Sequence, residues 1–128
     1  MSKPLNILIV DDSAAIRQRV RSHFEQNSDW CVCGEAEDGY TAVELVRQLK
    51  PDGVVLDFFM PKMNGLDAAQ QIAKISPSTR VVLFTAHDSR MLDIHAAEAG
   101  IKAVIAKDGK ASLDALQQAL RGGEPRTT

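Results

Sequence analysis

The sequence predicts an α/β domain in which a central sheet of five parallel strands is covered by helices on both faces. Two observations lead to this fold class: five short apolar runs recur along the 128 residues, and a segment with helical periodicity follows each run. Strict alternation of strand and helix is typical of a parallel sheet, because each helix returns the chain to the same end of the sheet through a right-handed crossover. A chain of this length is expected to form one domain.

The strands are predicted from the composition of the apolar runs. Four runs are continuous rather than alternating, which is typical of strands that are buried on both faces of a parallel sheet. The second run is more mixed, and we expect it to form an edge strand. The five runs are residues 7–10, 30–36, 53–56, 80–84 and 103–106.

The second run contains the two cysteines of the chain, Cys31 and Cys33. A metal site built on them would need two more ligands nearby, and the three histidines are scattered along the sequence. Residues two apart on a strand face the same side. We therefore expect both cysteines to be small buried residues of the strand.

Each helix is predicted from apolar residues that recur at spacings of three and four. The stripes are, in order, Ile16, Val20 and Phe24; Ala42, Leu45, Val46 and Leu49; Leu66, Ala69 and Ala73, with Ile72 and Ile75 beside them; Met91, Leu92, His95, Ala96 and Ala99; and Leu113, Leu116 and Leu120. Proline or glycine follows the last four stripes and is expected to end each helix. These residues are Pro51, Pro77, Gly100 and Gly122.

The charge balance argues against nucleic acid or a membrane as a direct partner. The chain has 15 basic and 17 acidic residues and a formal net charge of -2, so it offers no general attraction to a polyanion. No apolar run approaches the roughly 20 residues that cross a bilayer, and the first residues do not resemble a signal peptide. We therefore expect a cytoplasmic protein.

Polar residues follow four of the five predicted strands, at the point where each strand ends. Asp11 and Asp12 follow the first strand, Asp57 the third, Thr85 the fourth and Lys107 the fifth. Because the carboxyl ends of parallel strands lie at one edge of the sheet, where ligands bind, these five side chains are expected to converge.

Alone, each of these residues has a simpler explanation, as a helix N-cap, a turn residue or a solvated lysine. Together they predict a site, because clustered carboxylates repel one another and a divalent cation would make the cluster favourable. Mg²⁺ binds carboxylate, water and phosphate oxygens, while Lys107 and Thr85 can bind anionic oxygen. The set suits phosphoryl transfer to an aspartate that acts as the nucleophile.

At these residues the sequence resembles the receiver domains of bacterial two-component response regulators. The resemblance rests on LIVDDS, VVLDFFMPKMNGLDA, VVLFTAHD and EAGIKAVIAKD, and it extends from residue 5 to about residue 121. It implies a flavodoxin-like, doubly wound (βα)5 sandwich with strand order 2-1-3-4-5. It also implies a receiver domain over residues 1–121. The composition of GGEPRTT, residues 122–128, predicts a flexible tail or the start of a linker.

The resemblance assigns a role to each residue of the expected site. Asp57 matches the phosphoacceptor, which takes a phosphoryl group from a phosphohistidine of a sensor histidine kinase. Asp11 and Asp12 match the acidic pair that holds Mg²⁺ together with Asp57 and the backbone carbonyl of Phe59. Lys107 matches the lysine that pairs with the phosphoryl oxygens.

The same resemblance implies a switch. Thr85 matches a hydroxyl that moves to bond the phosphoryl group and repositions the loop after the fourth strand. A phosphoryl group adds about -1.5 to -2 charges, which is enough to bias a two-state loop. The fourth helix, fifth strand and fifth helix are then the expected readout face, and a homodimer on phosphorylation is a further family expectation.

The sequence departs from the family pattern at positions around the site. Val104 stands where many relatives carry an aromatic switch residue, which argues against coupled switching with Thr85 and predicts a strand residue facing a small pocket. Asp108 replaces a proline that follows the lysine, so we expect a trans Lys107–Asp108 bond, since a non-proline cis bond costs about 2.5–4 kcal/mol.

Two further positions concern the lifetime of the phosphoryl group. Phe59 and His87 match positions that tune its hydrolysis. A bulky Phe59 predicts slow autodephosphorylation, and His87 is either a titrating group at the mouth of the site or an exposed surface histidine.

Other readings of the sequence predict different chemistry. A phosphatase of the haloacid dehalogenase kind would need a second acid two residues after the nucleophile, where Phe59 stands. A flavodoxin-like electron carrier would need a phosphate-binding loop after the first strand, and a degenerate receiver would act only as a constitutive interaction module. Within the receiver family, the sequence is most similar to receivers that precede a helix-turn-helix DNA-binding domain. It is expected to be either part of a transcription regulator or a stand-alone receiver.

Overall fold

A computed structural model describes residues 3–86, 90–108 and 110–122. Strands and helices alternate along these residues, and every apolar run of the sequence forms a strand. The elements are β1 (Leu5–Val10), α1 (Ala14–Glu25), β2 (Trp30–Ala36), α2 (Gly39–Leu49), β3 (Gly53–Leu56), α3 (Gly65–Ile75), β4 (Arg80–Thr85), α4 (Arg90–Glu98), β5 (Ala103–Ala106) and α5 (Lys110–Leu120).

The five strands form one parallel sheet with the order β2-β1-β3-β4-β5. This order confirms the flavodoxin-like doubly wound fold and places β2 at an edge, as predicted. The chain leaves β1 in one direction to form β2 and then crosses to the other side to form β3. The carboxyl ends of β1 and β3 therefore lie side by side at the switch point, where ligands bind in sheets of this kind.

Two apolar layers cover the sheet, one on each face. Within β1, Ile7 and Ile9 pack with α1 and α5, while Leu8 and Val10 pack with α2, α3 and α4. All four side chains are fully buried, which is why the run lacks polar residues. Complete burial of each such side chain contributes about 1.5–3 kcal/mol, so the layers hold the strand ends in fixed positions.

Where the residues before a helix are described, at α1, α2 and α3, the helix begins with a side-chain cap. The Ser13 Oγ accepts from the Ile16 N–H at 3.3 Å, Asp38 Oδ1 from Thr41 at 2.8 Å and Asn64 Oδ1 from Asp67 at 2.9 Å. Each cap satisfies an N–H group that has no partner within its own helix. The cap of α1 is thus Ser13, which leaves the preceding Asp12 without this structural role.

The structure corrects the expectation for the two cysteines. Cys31 is exposed, on the opposite face from the buried Trp30 and Val32, and Cys33 is only half-buried, at a point where the register with β1 shifts by one residue. Ile7 pairs with Val32 but Leu8 pairs with Gly34, so Cys33 is the extra residue of a β-bulge. The bulge reverses the alternation of side chains along β2.

Three helix faces also differ from the predicted stripes. In α2, Leu49 is exposed and Val43 is buried instead. In α4, Leu92 and Ala96 are buried, while Met91 and His95 are exposed. In α3, Ala73 is exposed, and Ala68, the residue before Ala69, is buried instead. A helix on a sheet buries a stripe about 100° wide, and a residue one position away is rotated out of it.

Within the described ranges, no helix combines the length and the apolar composition needed to cross a membrane.

Candidate functional site

The polar residues that follow the strands meet at the carboxyl edge of the sheet. Asp11, Asp57 and Thr85 are buried there with 3%, 5% and 0% of their surface exposed. Charged groups are rarely buried to this degree without a specific partner. The site is therefore defined by what these side chains contact.

Three carboxylates converge at the switch point between β1 and β3. Asp11, Asp12 and Asp57 each place one oxygen within 4.8 Å of the others. Asp12 is exposed, whereas the other two are buried, so the cluster opens to solvent on the side of Asp12. Oxygen ligands at such spacing, with room for water, fit a hard divalent cation such as Mg²⁺.

Lys107 lies across the buried side of the cluster. Its Nζ is 2.8 Å from Asp11 Oδ2 and 3.3 Å from Asp57 Oδ1. Burial lowers the pKa of this ammonium group, but the hydrogen bond to Asp11 and the charges of both carboxylates outweigh that effect and raise it. Lys107 therefore stays protonated, and its backbone N–H donates to the Thr85 carbonyl at 2.9 Å.

The Asp57 carboxyl has a raised pKa. Burial is the largest cause and the charge of Asp11 is the second, while Lys107 offsets them only in part. This agrees with the electrostatic conflict that the sequence predicted for clustered carboxylates. A cation at the cluster would favour the ionised form.

Every polar atom of Asp11 has a partner. One of these partners, Arg17, was not predicted from the sequence. Its two carboxylate oxygens accept from the Ser13 N–H at 2.9 Å and from Lys107. Its N–H donates to the Ala36 carbonyl at 3.0 Å, and its carbonyl accepts from Arg17 Nη1 at 2.6 Å. The available signal was the position of Arg17, four residues after a helix cap and so one turn into α1.

The loop between β3 and α3 approaches the site through its backbone. The Gly65 N–H donates to the Phe58 carbonyl at 2.8 Å, and a Cβ on Gly65 would lie 2.5 Å from the Asp57 carbonyl oxygen. Only glycine permits this close approach. Lys62 has a φ of +73° inside a tight turn that is closed by the Met63 N–H and the Pro61 carbonyl.

The aromatic pair of this loop lies at the rim. The Phe58 and Phe59 rings meet edge to face with centroids 4.5 Å apart. Phe58 packs on the core beside α2, α3 and α4, while Phe59 is 53% exposed.

The remaining predicted residues lie on β4 and β5. Thr85 pairs with Ala106 at the end of β4, and Val104 is a partly buried strand residue on the face of α2, α3 and α4. The described residues contain no cis peptide bond, so the Lys107–Asp108 bond is trans, as predicted. His87 lies outside the described residues.

Comparison with known proteins gives a consistent result. The family model of the response regulator receiver domain matches residues 7–121. Among curated proteins, the chemotaxis protein CheY of Thermotoga maritima is 40% identical over 101 residues, which are 79% of this chain and 83% of that protein. The transcriptional regulatory protein YdfI of Bacillus subtilis is 37% identical over 102 residues, which are 80% of this chain. The chain spans only 47% of YdfI and 51% of the transcriptional regulatory protein DegU of Brevibacillus brevis.

Solved structures show the same similarity. The signal receiver domain of the response regulator NarL from Mycobacterium tuberculosis has a TM-score of 0.87 at 28% identity, covering 95% of this chain and 100% of that chain. A CheX–CheY complex from Borrelia burgdorferi with BeF3⁻ and magnesium has a TM-score of 0.84 at 28% identity, covering 93% and 89%.

Proposed function

The chain belongs to the response regulator receiver domain family, and on this premise we propose that Asp57 accepts a phosphoryl group from a phosphohistidine of a sensor histidine kinase. The observation that carries the proposal is the surroundings of Asp57. Its carboxylate lies among two other carboxylates and a protonated lysine at the switch point of the sheet. These groups favour a phosphoryl anion on Asp57 once a cation offsets the acidic charge.

The acidic cluster is proposed to hold Mg²⁺ through Asp11, Asp12, Asp57 and the backbone carbonyl of Phe59. The fit rests on three carboxylate oxygens within 4.8 Å of one another and on the open side at Asp12. When bound, the cation would neutralise the carboxylates and bind oxygens of the incoming phosphoryl group.

The transfer step uses groups of this chain for attack and charge stabilisation. An oxygen of Asp57 attacks phosphorus, a P–O bond forms and the P–N bond of the donor phosphohistidine breaks. The electron pair of the broken bond goes to the imidazole nitrogen of the donor. Lys107, 3.3 Å from Asp57 Oδ1, can turn its ammonium group from the carboxylate to the phosphoryl oxygens.

The consequence of phosphorylation is proposed to be a switch rather than turnover of a separate substrate. Thr85 ends the strand beside Lys107, and the two are joined by a backbone hydrogen bond of 2.9 Å. A shift of Thr85 toward the phosphoryl group would alter the face formed by α4, β5 and α5. We propose that this face acts on transcription, either within a longer protein or through a partner, and that phosphorylation favours a homodimer.

The proposal is tested by the intact mass of the protein after incubation with acetyl phosphate and Mg²⁺. We expect one phosphoryl adduct on the wild type. The adduct should be absent from Asp57→Asn and from wild type kept in a chelator, because the nucleophile or the cation is then missing.

Asp52→Asn is the matched control, since Asp52 is a carboxylate at the opposite end of β3 where its Oδ2 accepts from the Asn6 N–H at 2.7 Å. This variant should keep the adduct. No adduct on the wild type would favour a constitutive interaction module. The same sample followed in time tests the slow hydrolysis expected from Phe59, which a lifetime of seconds would contradict.

A further inference from the structure

Arg17 connects the first helix to the backbone of the acidic cluster. Its Nη1 donates to the Asp11 carbonyl at 2.6 Å, and its Nε donates to Glu35 Oε1 at 2.8 Å. The Arg17 side chain is only 18% exposed. Hydrogen bonds that involve charged groups are stronger than neutral ones, and partial burial protects them from solvent.

The carbonyl that Arg17 holds belongs to the peptide unit between Asp11 and Asp12. The N–H of Asp11 is fixed from the other side by the Ala36 carbonyl of β2. Among the described residues, no hydrogen bond or ion pair holds the Asp12 carboxylate, which is exposed. The direction of that carboxylate therefore depends on the backbone that carries it, and Arg17 fixes the orientation of this backbone.

Glu35 holds the Arg17 side chain in place, and a β-bulge in β2 turns Glu35 toward α1. Trp30 and Val32 of β2 pack on the side of α1 and α5, so regular alternation would turn residue 35 away from α1. The bulge at Cys33 shifts the register and brings Glu35 to α1. Its two oxygens bind Arg17 Nε at 2.8 Å and Arg21 Nη1 at 2.6 Å.

We propose that Arg17, held by Glu35, is a positioning residue that orients the Asp11–Asp12 peptide and thereby strengthens binding of a divalent cation by the acidic cluster. This inference rests on the proposed function of that cluster. Partners of metal ligands commonly change metal affinity by about 10–100-fold when they are removed.

A simple charge effect predicts the opposite result. Arg17 is a cation next to a cation site, so its removal would tighten Mg²⁺ binding if charge alone mattered. If Arg17 positions the ligands, removal weakens binding in spite of the lost repulsion. The sign of the change thus separates the two explanations.

The test is calorimetric titration of Mg²⁺ into the full chain, with melting temperatures measured in a chelator. We expect Arg17→Met to weaken Mg²⁺ binding about tenfold. We expect Arg17→Lys to weaken it as well, although the charge is kept, because one ammonium group does not reproduce the two-armed guanidinium contact.

Arg21→Met is the matched control. Like Arg17→Met, it removes one positive charge from α1 and one partner of the Glu35 carboxylate. Arg21, however, makes no contact with Asp11 among the described hydrogen bonds. Its Mg²⁺ affinity should change less than about twofold, even if its melting temperature falls as far as that of Arg17→Met. If Arg17→Met does not fold, Arg17→Lys carries the test alone, since it keeps the charge and any weakening then follows from the lost guanidinium contact.

Unchanged or tighter Mg²⁺ binding by Arg17→Met or Arg17→Lys would overturn the inference and leave phosphorylation of Asp57 intact as a proposal. Absence of Mg²⁺ binding by the wild type would overturn both. Equal weakening by Arg21→Met would also overturn the inference, because the effect would then follow from the stability of the helix rather than from the Asp11 contact.

Discussion

At the scale of the residue, Asp57 combines a reactive position with an electrostatic cost. Its carboxylate is nearly buried and faces Asp11, and both facts raise its pKa. A raised pKa means that the ionised form is less stable in the folded protein than in the unfolded chain. The stability that Asp57 contributes is therefore fully present below the usual carboxyl pKa and is lost as pH rises through the raised value.

We expect Asp57→Asn to raise the melting temperature at neutral pH in a chelator, because it removes the disfavoured charge. The gain is about 2–8 °C if it corresponds to about 1 kcal/mol in a chain of this size. The gain should shrink as pH is lowered toward about 3, where wild-type Asp57 is protonated. Thermal unfolding of both proteins across this pH range measures it.

Asp67→Asn is the control for this prediction. Asp67 is exposed in the first turn of α3, where a negative charge is favourable. Loss of that charge should not stabilise the protein. A gain of similar size in both variants would show that net charge, rather than the surroundings of Asp57, sets the effect.

At the scale of the element, the connection from β3 to α3 fixes the backbone of Asp57. We expect Gly65→Ala to destabilise the protein by about 2–4 kcal/mol and to reduce the yield of the phosphoryl adduct. The new Cβ would lie 2.5 Å from the Asp57 carbonyl oxygen and 3.0 Å from the Phe58 Cα, and these backbone atoms have little room to move. Chemical denaturation and intact mass together measure the two effects.

Gly34→Ala gives the matched comparison at the bulged edge strand. Its new Cβ would meet only the tips of Leu8 and Leu49, at 3.3 and 3.4 Å, and flexible side chains can adjust. We expect a smaller loss of stability and a normal adduct. Equal effects from the two substitutions would argue against a special role for the loop after β3.

At the scale of the whole molecule, the end of α5 is tied to two strands across the sheet. Arg80 Nε donates to the Ala119 carbonyl at 2.5 Å. Arg121 lies over the Trp30 ring at 5.1 Å and 3.6 Å from Asp29, and Leu120 is buried. These contacts indicate that the domain requires the chain at least through Arg121.

We therefore expect a chain that ends at Gly122 to keep the melting temperature and the Asp57 adduct of the full chain. A chain that ends at Ala119 should lose about 2 kcal/mol or more, because it lacks the buried Leu120 and the contacts of Arg121. Thermal unfolding of the two truncated chains tests the predicted boundary at residue 121. A clear loss of stability on removal of 123–128 alone would move that boundary toward the C-terminus.

The amino-acid sequence was enough to predict the alternation of elements, the position of every strand and the identity of the residues at the carboxyl edge. Continuous apolar runs indicate strands that are buried on both faces of a sheet, and each run can be recognised from its own residues. The convergence of Asp11, Asp12, Asp57 and Lys107 also followed, because parallel strands end at one edge whatever the details of packing. The strand order came from the family resemblance, which the structure confirms.

The sequence did not predict the bulge at Cys33, the exposed residues of α2, α3 and α4 or the contact of Arg17 with the Asp11 carbonyl, which depend on three-dimensional packing. Each depends on partners that are remote in sequence or on the angle at which a helix meets the sheet. The Glu35 oxygen that holds Arg17 comes from another element, 18 residues away. The Glu35 side chain faces α1 only because the register of β2 shifts by one residue, and no local pattern of apolar residues predicts that shift.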